Sequence, residues 1–234
     1  MKSFKFKQFE IQQSKNVFRV GTDGVLLGAL ANISNAEKVL EMGTGTGLIS
    51  LMLAQRNASA KFLGIDINKE AADLTRLNFN QSLFKLRLKN IHQDFKNFDT
   101  DEKFDLIVSN PPYFEESSSE KDKLARQTIE LNFQQLISKS SKLLSKNGIL
   151  SVIIPFEIGE NFIELASQNQ LFLIRKINIK GIKNSKTKRL ILEFSLIEKP
   201  LEESEFIIEK SPRQYSDQYL ELTKEFHVFK EIRS

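Results

Sequence analysis

Hydrophobic and polar positions alternate along this chain with two periods in turn, and that exchange predicts its elements. In "FKFKQFEI" Phe4 and Phe6 share one face of a strand, and Phe9 and Ile11 resume the pattern after a one-residue slip. "GVLLGALA" is a short apolar helix that Asp23 is placed to cap. Lys38–Met42 reads as a buried strand and Gly47–Arg56 as the helix after it. Phe62–Asp66 is the next strand, and Asn68 caps a helix to about Asn80 with Glu70 in its first turn. Leu86–Ile91 and Phe104–Ser109 continue the strand series. Thr128 opens a helix to about Ser145, with Gly148 placed as its C-terminal glycine. Ile149–Pro155, Leu171–Ile179 and Leu190–Ile197 are later strands, with a helix across Gly159–Ser167. A strand "EFIIEK" and a helix from about Ser216 to Lys230 finish the chain.

Strands and helices in alternation, joined by short connectors, predict an α/β fold whose mostly parallel sheet has helices on both faces. The stretch "IKGIKNSKTKRL" lacks a helix between its strands and predicts an antiparallel hairpin at one edge. No internal repeat or Pro-rich linker divides the 234 residues, so a single domain is expected over 1–234. Within it, 1–37 is a lead segment, 38–200 the core and 201–234 a C-terminal strand and helix. The low-complexity patch "EESSSEKDK", Glu115–Lys123, is a surface loop or a lid over a site.

Hydrophobic residues make up 40% and charged residues 27%, ordinary for a water-soluble globular chain. The absence of cysteine excludes disulfides and thiolate metal sites and fits a reducing cytosol. The two histidines, His92 and His227, have no ligand-like spacing, so no metal is expected. No apolar run approaches the roughly 20 residues of a membrane span, and "MKSFKFKQFE" has no signal-peptide core. The net charge of +4 is compatible with a polyanionic partner and equally with a merely solvated surface.

"VLEMGTGTGLISLMLA" is a strand, a glycine-rich turn and a helix, the place where open α/β sheets bind ligands. Counted from Gly43, a dinucleotide fingerprint needs glycine at the third and sixth positions; Gly45 supplies the third, but Leu48 stands at the sixth. Glu41, Gly43, Gly45 and Gly47 instead form E-x-G-x-G-x-G, which favours a ligand without a pyrophosphate. This turn resembles the first motif of the class I S-adenosylmethionine-dependent methyltransferases, whose Rossmann-like fold implies a seven-stranded sheet. The resemblance implies that the turn wraps the methionine part of the cofactor. It also implies that Asp66, with Ile67 beside it, binds the ribose hydroxyls, a role a two-oxygen acceptor suits. Asp94 would accept from the adenine amino group and Phe95 would pack on that ring.

Asn110-Pro111-Pro112-Tyr113 follows the fourth strand of the series. It resembles the N-P-P-Y signature of methyltransferases acting on a nitrogen conjugated to a π-system, as in adenine, cytosine or a glutamine amide. Such a nitrogen has a delocalised lone pair and is a poor nucleophile. Acceptors at its N–H groups draw it toward sp³ geometry, and the Asn110 side-chain carbonyl and Pro111 backbone carbonyl suit that role. Proline preorganises them through its fixed φ and its restriction of the preceding residue. Tyr113 would stack on a planar substrate, a contact worth about 1–3 kcal/mol for a base.

Two substrate classes share the signature. A glutamine methyltransferase of the release-factor type carries a helical domain before its cofactor turn, for which this chain has too few residues. "FRVGTDGVLLGALA", "NPPYF", "ARQT" and "YSDQYLELTKEF" resemble instead the tRNA1(Val) adenine-37 N6-methyltransferases over nearly the whole chain. Gln127 stands where that family commonly carries histidine. The resemblance implies a cytoplasmic monomer that converts S-adenosyl-L-methionine to S-adenosyl-L-homocysteine on tRNA. It makes Thr22, in a lead segment lying against the cofactor, a contact to the cofactor's carboxylate. Phe114 and Arg126, and the basic stretch with Lys183, Lys186, Lys188 and Arg189, become candidate RNA contacts. A protein glutamine-N5 methyltransferase and a non-catalytic RNA-binding module are the alternatives.

Overall fold

The alternating aromatics at the start fold back on themselves. In the computed structural model, which describes residues 2–15, 17, 19–112 and 133–227, strands β1 (Lys2–Lys5) and β2 (Glu10–Gln13) form an antiparallel hairpin. The slip in the pattern falls in its turn. There Phe6 bridges to His227 and stacks on both Phe9 and His227 at ring separations of 4.6 and 5.5 Å.

Helix α1 (Thr22–Leu30) has Gly21, not Asp23, at its N-cap position. Asp23 lies in the first turn, where a carboxylate faces the positive end of the helix. There follow β3 (Lys38–Met42), α2 (Leu48–Arg56), β4 (Lys61–Asp66), α3 (Lys69–Gln81), β5 (Leu88–His92) and β6 (Phe104–Ser109). Asn68 caps α3 as expected, accepting from Ala71 N at 3.1 Å. Helix α4 covers 133–143, and β7 (Leu144–Pro155), α5 (Gly159–Gln168), β8 (Phe172–Lys180) and β9 (Thr187–Ser195) come next. Strands β10 (Glu202–Ile207), β11 (Glu209–Ser211) and β12 (Gln214–Tyr215) precede α6 (Asp217–Thr223). The expected opening of α4 at Thr128 and the Glu115–Lys123 patch lie outside the described residues.

One sheet of eight strands, ordered β10-β8-β9-β7-β6-β3-β4-β5, forms the centre. Its pairs are parallel except β7–β9 and β8–β9. The strand beyond the expected seven is β10, which pairs in parallel with β8, so the antiparallel hairpin is not the sheet edge. Val39, Leu106 and Val108 face a core shared with α1 and α2, while Leu40, Ile107 and Leu150 face Phe133, Ile137 and Phe162 of α4 and α5. Period-two burial on both faces is what a strand covered by helices on each side requires.

Gly148 is not a helix end. Leu144 already pairs with Phe104, and the register shifts between Phe104 and Leu106. A Cβ at Gly148 would lie 2.7 Å from the Phe104 carbonyl oxygen, so the bulge needs a residue without one.

The rim at the N-terminal ends of the parallel strands is closed by side chains bonded to backbone. Asp105 Oδ2 accepts from Glu37 N and Lys38 N, both at 3.1 Å. Asn57 Nδ2 donates to Ile33 O and Ala36 O, both at 3.0 Å. Arg87 donates to the carbonyls of Ala54, Asn57 and Ala60 at 2.7–2.9 Å, satisfying the exposed end of α2.

Candidate active site

The opposite rim, at the C-terminal strand ends, gathers the chemistry. Met42 and Ser109 are register partners on β3 and β6, and Ser109 Oγ donates to Met42 O at 2.8 Å. The glycine turn and the Asn-Pro-Pro segment therefore leave the sheet side by side.

Gly43, Gly45 and Gly47 have φ of 79°, 56° and 80°, left-handed values that other L-residues rarely adopt. Their surroundings differ. A Cβ at Gly47 would lie 2.6 Å from Phe79, whereas at Gly43 and Gly45 it would meet nothing within 4 Å among the described residues. The third glycine lets the turn pack on α3, and the first two leave a bare backbone surface above it. Ile65 O accepts from Gly43 N and Thr44 N, pinning the turn to β4.

Asp66 joins the turn to the next loop. Its Oδ2 accepts from Gly45 N and its Oδ1 from Asn68 N, each at 2.8 Å. Each oxygen keeps a lone pair for a further donor. Ile67, the next residue, is 65% exposed. Asp94, two residues past the end of β5, accepts from Lys96 N at 3.0 Å, and Phe95 is half-buried against the core.

Glu41 lies beneath the turn. It is 1% exposed, and its Oε2 accepts from both N and Oγ of Ser50 on α2. Burial pushes its carboxyl up to about 8. Its Oε1 is buried without a partner among the described residues.

Asn110 presents the same condition at the rim. Its Oδ1 is buried with no hydrogen-bond partner among the described residues. Pro111 is buried and Pro112 exposed. Tyr113, Phe114, Arg126 and Gln127 lie outside the described residues.

The lead segment reaches this rim through Asp23, Gly24 and Gln12, among other described residues. Asp23 Oδ2 accepts from Arg189 Nε at 3.0 Å, and Arg189 pairs across the sheet with Pro155 at the end of β7. Thr22, which opens α1, is held there with it. A Cβ at Gly24 would lie 3.1 Å from Leu48, so the first turns of α1 and α2 are in close contact. Asn78 Nδ2 donates to both Thr46 O and Gln12 O, joining the glycine turn to β2.

Arg189 thus stands apart from the lysines it was grouped with. Its side chain is 24% exposed and pairs with Asp23, while Lys183, Lys186 and Lys188 are exposed around the β8–β9 turn. That turn lies on the same rim, because β8 ends and β9 begins where β7 ends.

Three residues of the site were not singled out from sequence. Thr75 Oγ1 donates to Gly45 O at 2.9 Å, and Asn78 acts as described. Both are fully buried on the inner face of α3 with Ala71 and Phe79, and polar side chains on an apolar face were the available signal. Phe156, directly after β7, is 47% exposed on this rim. Among the described residues no group of three or more His, Cys, Asp or Glu could hold a metal, and no helix is long and apolar enough to cross a membrane.

The family model for the methyltransferase small domain matches residues 9–168. A tRNA1(Val) (adenine(37)-N6)-methyltransferase of a Flavobacteriaceae bacterium (strain 3519-10) is 53% identical, the alignment covering 98% of this chain and all of the relative. The chain belongs to the tRNA1(Val) (adenine(37)-N6)-methyltransferase family. An Aliivibrio fischeri member is 41% identical over 97% of this chain and 98% of its own length. Solved structures place the fold among Rossmann-like methyltransferases. One described as a predicted O-methyltransferase from Agrobacterium tumefaciens superposes with a TM-score of 0.70 at 17% identity, covering 87% of this chain and 96% of its own. A Pyrococcus furiosus methyltransferase superposes with a TM-score of 0.62 at 18% identity, covering 80% and 89%.

Proposed function

We propose that this protein methylates N6 of adenine 37 in the anticodon loop of a valine tRNA, using S-adenosyl-L-methionine and releasing S-adenosyl-L-homocysteine. The observation that carries this reading is the Asn110 carbonyl oxygen, buried beside the glycine turn without a donor among the described residues. An unpaired buried acceptor costs about 1–3 kcal/mol, and a substrate N–H is a donor that would remove that cost.

The residues present fit the cofactor. The bare backbone at Gly43 and Gly45 leaves room for its methionine part, and the spare lone pairs of Asp66 suit two ribose hydroxyls. Exposed Ile67 and half-buried Phe95 provide apolar faces for an adenine ring, with Asp94 as acceptor for its amino group. Thr22, held on the rim by the Asp23–Arg189 pair, takes the carboxylate. The lead segment 1–37 is then part of one domain and closes the cofactor site. When bound, S-adenosylmethionine supplies an electrophilic methyl on a sulfonium.

The chain supplies the nucleophile's geometry. Asn110 Oδ1 and Pro111 O accept the two amino protons and localise the nitrogen lone pair. Tyr113 stacks on the base, and Phe156 adds a second aromatic surface on the neighbouring strand end. No base is needed before transfer, since the proton leaves afterwards, and no step calls for a metal. An anticodon-loop base is already unstacked or readily flipped out, as this rim requires. The protein acts as a monomer in the cytoplasm, where tRNA is modified.

The test is incubation with radiolabelled S-adenosylmethionine and total RNA from a strain lacking the gene, followed by nucleoside analysis. Label in N6-methyladenosine of the valine tRNA is the expected result. Label in protein and not in RNA would transfer the activity to amide methylation.

A further inference from the structure

The C-terminal part of the chain carries a basic element that the sequence motifs do not reveal. Strand β10 runs parallel to β8, so it emerges on the site rim. There the chain continues along the β8–β9 turn, with Ile208 N donating to Lys180 O at 3.0 Å and Glu209 N to Gly181 O at 2.8 Å. It then forms the β11–β12 hairpin. Two hairpins thus rise from adjoining roots on one rim, the first with its tip at 181–186 and the second at 212–213.

Their charge is one-sided. Residues 181–188 and 209–215 contain Lys183, Lys186, Lys188, Lys210 and Arg213, against a single carboxylate, Glu209. All five cations are exposed, and none is in an ion pair among the described residues. Nearby Lys176 and Lys180 on the strand body are, by contrast, paired with Glu203 and Glu205. On this side of the sheet the unpaired cations therefore belong to the two hairpins, at or next to their turns.

Arg213 gives a second, independent sign. It follows Pro212 in the turn and has φ of 65°, a left-handed value that glycine or asparagine adopts at less cost. An arginine thus stands at an exposed tip where the backbone favours glycine, and such outliers cluster where a side chain is used. Tyr215, at the base of this hairpin, stacks on Tyr219 at 4.4 Å and anchors it to α6.

We propose that the two hairpins together grip the phosphate backbone of the RNA stem next to the target loop, with Arg213 and Lys210 as a second handhold beside Lys183, Lys186 and Lys188. This rests on the reading of the protein as a tRNA methyltransferase. Phosphate contacts position the RNA without reading its sequence, while the rim at Asn110 selects the nitrogen.

The test uses the full-length protein and three variants: Arg213→Gly, Arg213→Lys, and Arg213→Gly combined with Lys210→Ala. Arg213→Gly removes the cation and relieves the backbone, so it separates charge from folding. The expected result is a melting temperature equal to or above the parent's, a several-fold higher KM for tRNA and an unchanged kcat. The salt dependence of tRNA binding should lose about one unit of slope per cation removed, and Arg213→Lys should keep most of the parent slope. S-adenosylmethionine affinity should not move. Parent-like KM and salt slope in the double variant would overturn the inference while parent activity on tRNA stood. A parent protein that does not methylate tRNA would fail at the earlier step and overturn both.

Discussion

Ser109 Oγ donates to the Met42 carbonyl at 2.8 Å, joining the residue before Asn110 to the residue before Gly43. The Asn-Pro-Pro segment and the glycine turn, the substrate and cofactor loops of the proposed reading, therefore start from one hydrogen-bonded pair at the C-terminal ends of neighbouring central strands. In that reading such a base would position the two reacting groups with little conformational freedom left to lose.

Asn110→Ala should reduce methyl transfer by at least about a hundredfold, the scale of losing one preorganised polar group at a developing charge. Cofactor affinity, read by calorimetry, should stay close to the parent's. A variant that methylates at the parent rate would remove Asn110 from the chemistry.

Asp66→Ala should weaken S-adenosylmethionine binding about tenfold or more, since it deletes two acceptors and frees the Gly45 and Asn68 amides that its oxygens now hold. Titration calorimetry reads this directly, and an unchanged dissociation constant would place the ribose elsewhere.

Gly43→Ala and Gly47→Ala should fail in different ways. At Gly47 the left-handed φ and the 2.6 Å approach to Phe79 act together, and the loss should be roughly 2–4 kcal/mol in urea unfolding. At Gly43 only the backbone term applies, about 1–2 kcal/mol, but the new methyl enters the open surface above the turn. Gly43→Ala should lose cofactor affinity out of proportion to its stability.

Glu41 makes stability depend on pH. Its carboxyl is raised from an ordinary 4.5 to about 8, chiefly by burial, with the Ser50 hydrogen bonds opposing. Between those values the folded protein holds the extra proton. This contribution is therefore complete below about pH 4.5 and is lost as pH rises through 8. The slope approaches about 1.4 kcal/mol per pH unit. Glu41→Gln should flatten that part of the profile, with urea midpoints at pH 6 and 8.5 as the measurement.

Glu193 is 1% exposed and accepts from Asn32 N at 2.9 Å, Ser151 Oγ at 3.2 Å and Arg175 at 3.4 Å. It also faces Arg56, whose pKa burial lowers and Glu193 supports. Glu193→Ala should cost about 3–5 kcal/mol by leaving buried donors and cations uncompensated. Parent-like stability in urea would show that the cluster contributes little.

What could be read from the chain tracks how local each cause is. The span of β3 is the expected one, because a buried parallel strand feeding a glycine turn leaves its pattern in adjacent residues. Asn68 capped α3 for the same reason, its partner being three residues on. The position of β7 was less legible. "LLSKNGIL" extends helical periodicity past residue 143, and only the opposing Phe104 carbonyl, 44 positions from Gly148, explains the bulge. Arg189 looked like one more surface cation until the fold brought Asp23 against it from 166 residues away. Thr75 and Asn78 are polar within an apolar face, a trace of the site without a statement of what they hold.

The two rims of the sheet have divided the work between them. Asn57, Arg87 and Asp105 lock the lower rim with bonds to main chain, independent of what is bound above. On the proposed reading, exchanging the loops of the upper rim, hairpins included, would let the fold meet a different nucleic acid without renegotiating its own folding. The lower rim is also the place to tether the protein to a surface, since an attachment there leaves the whole reactive face turned outward.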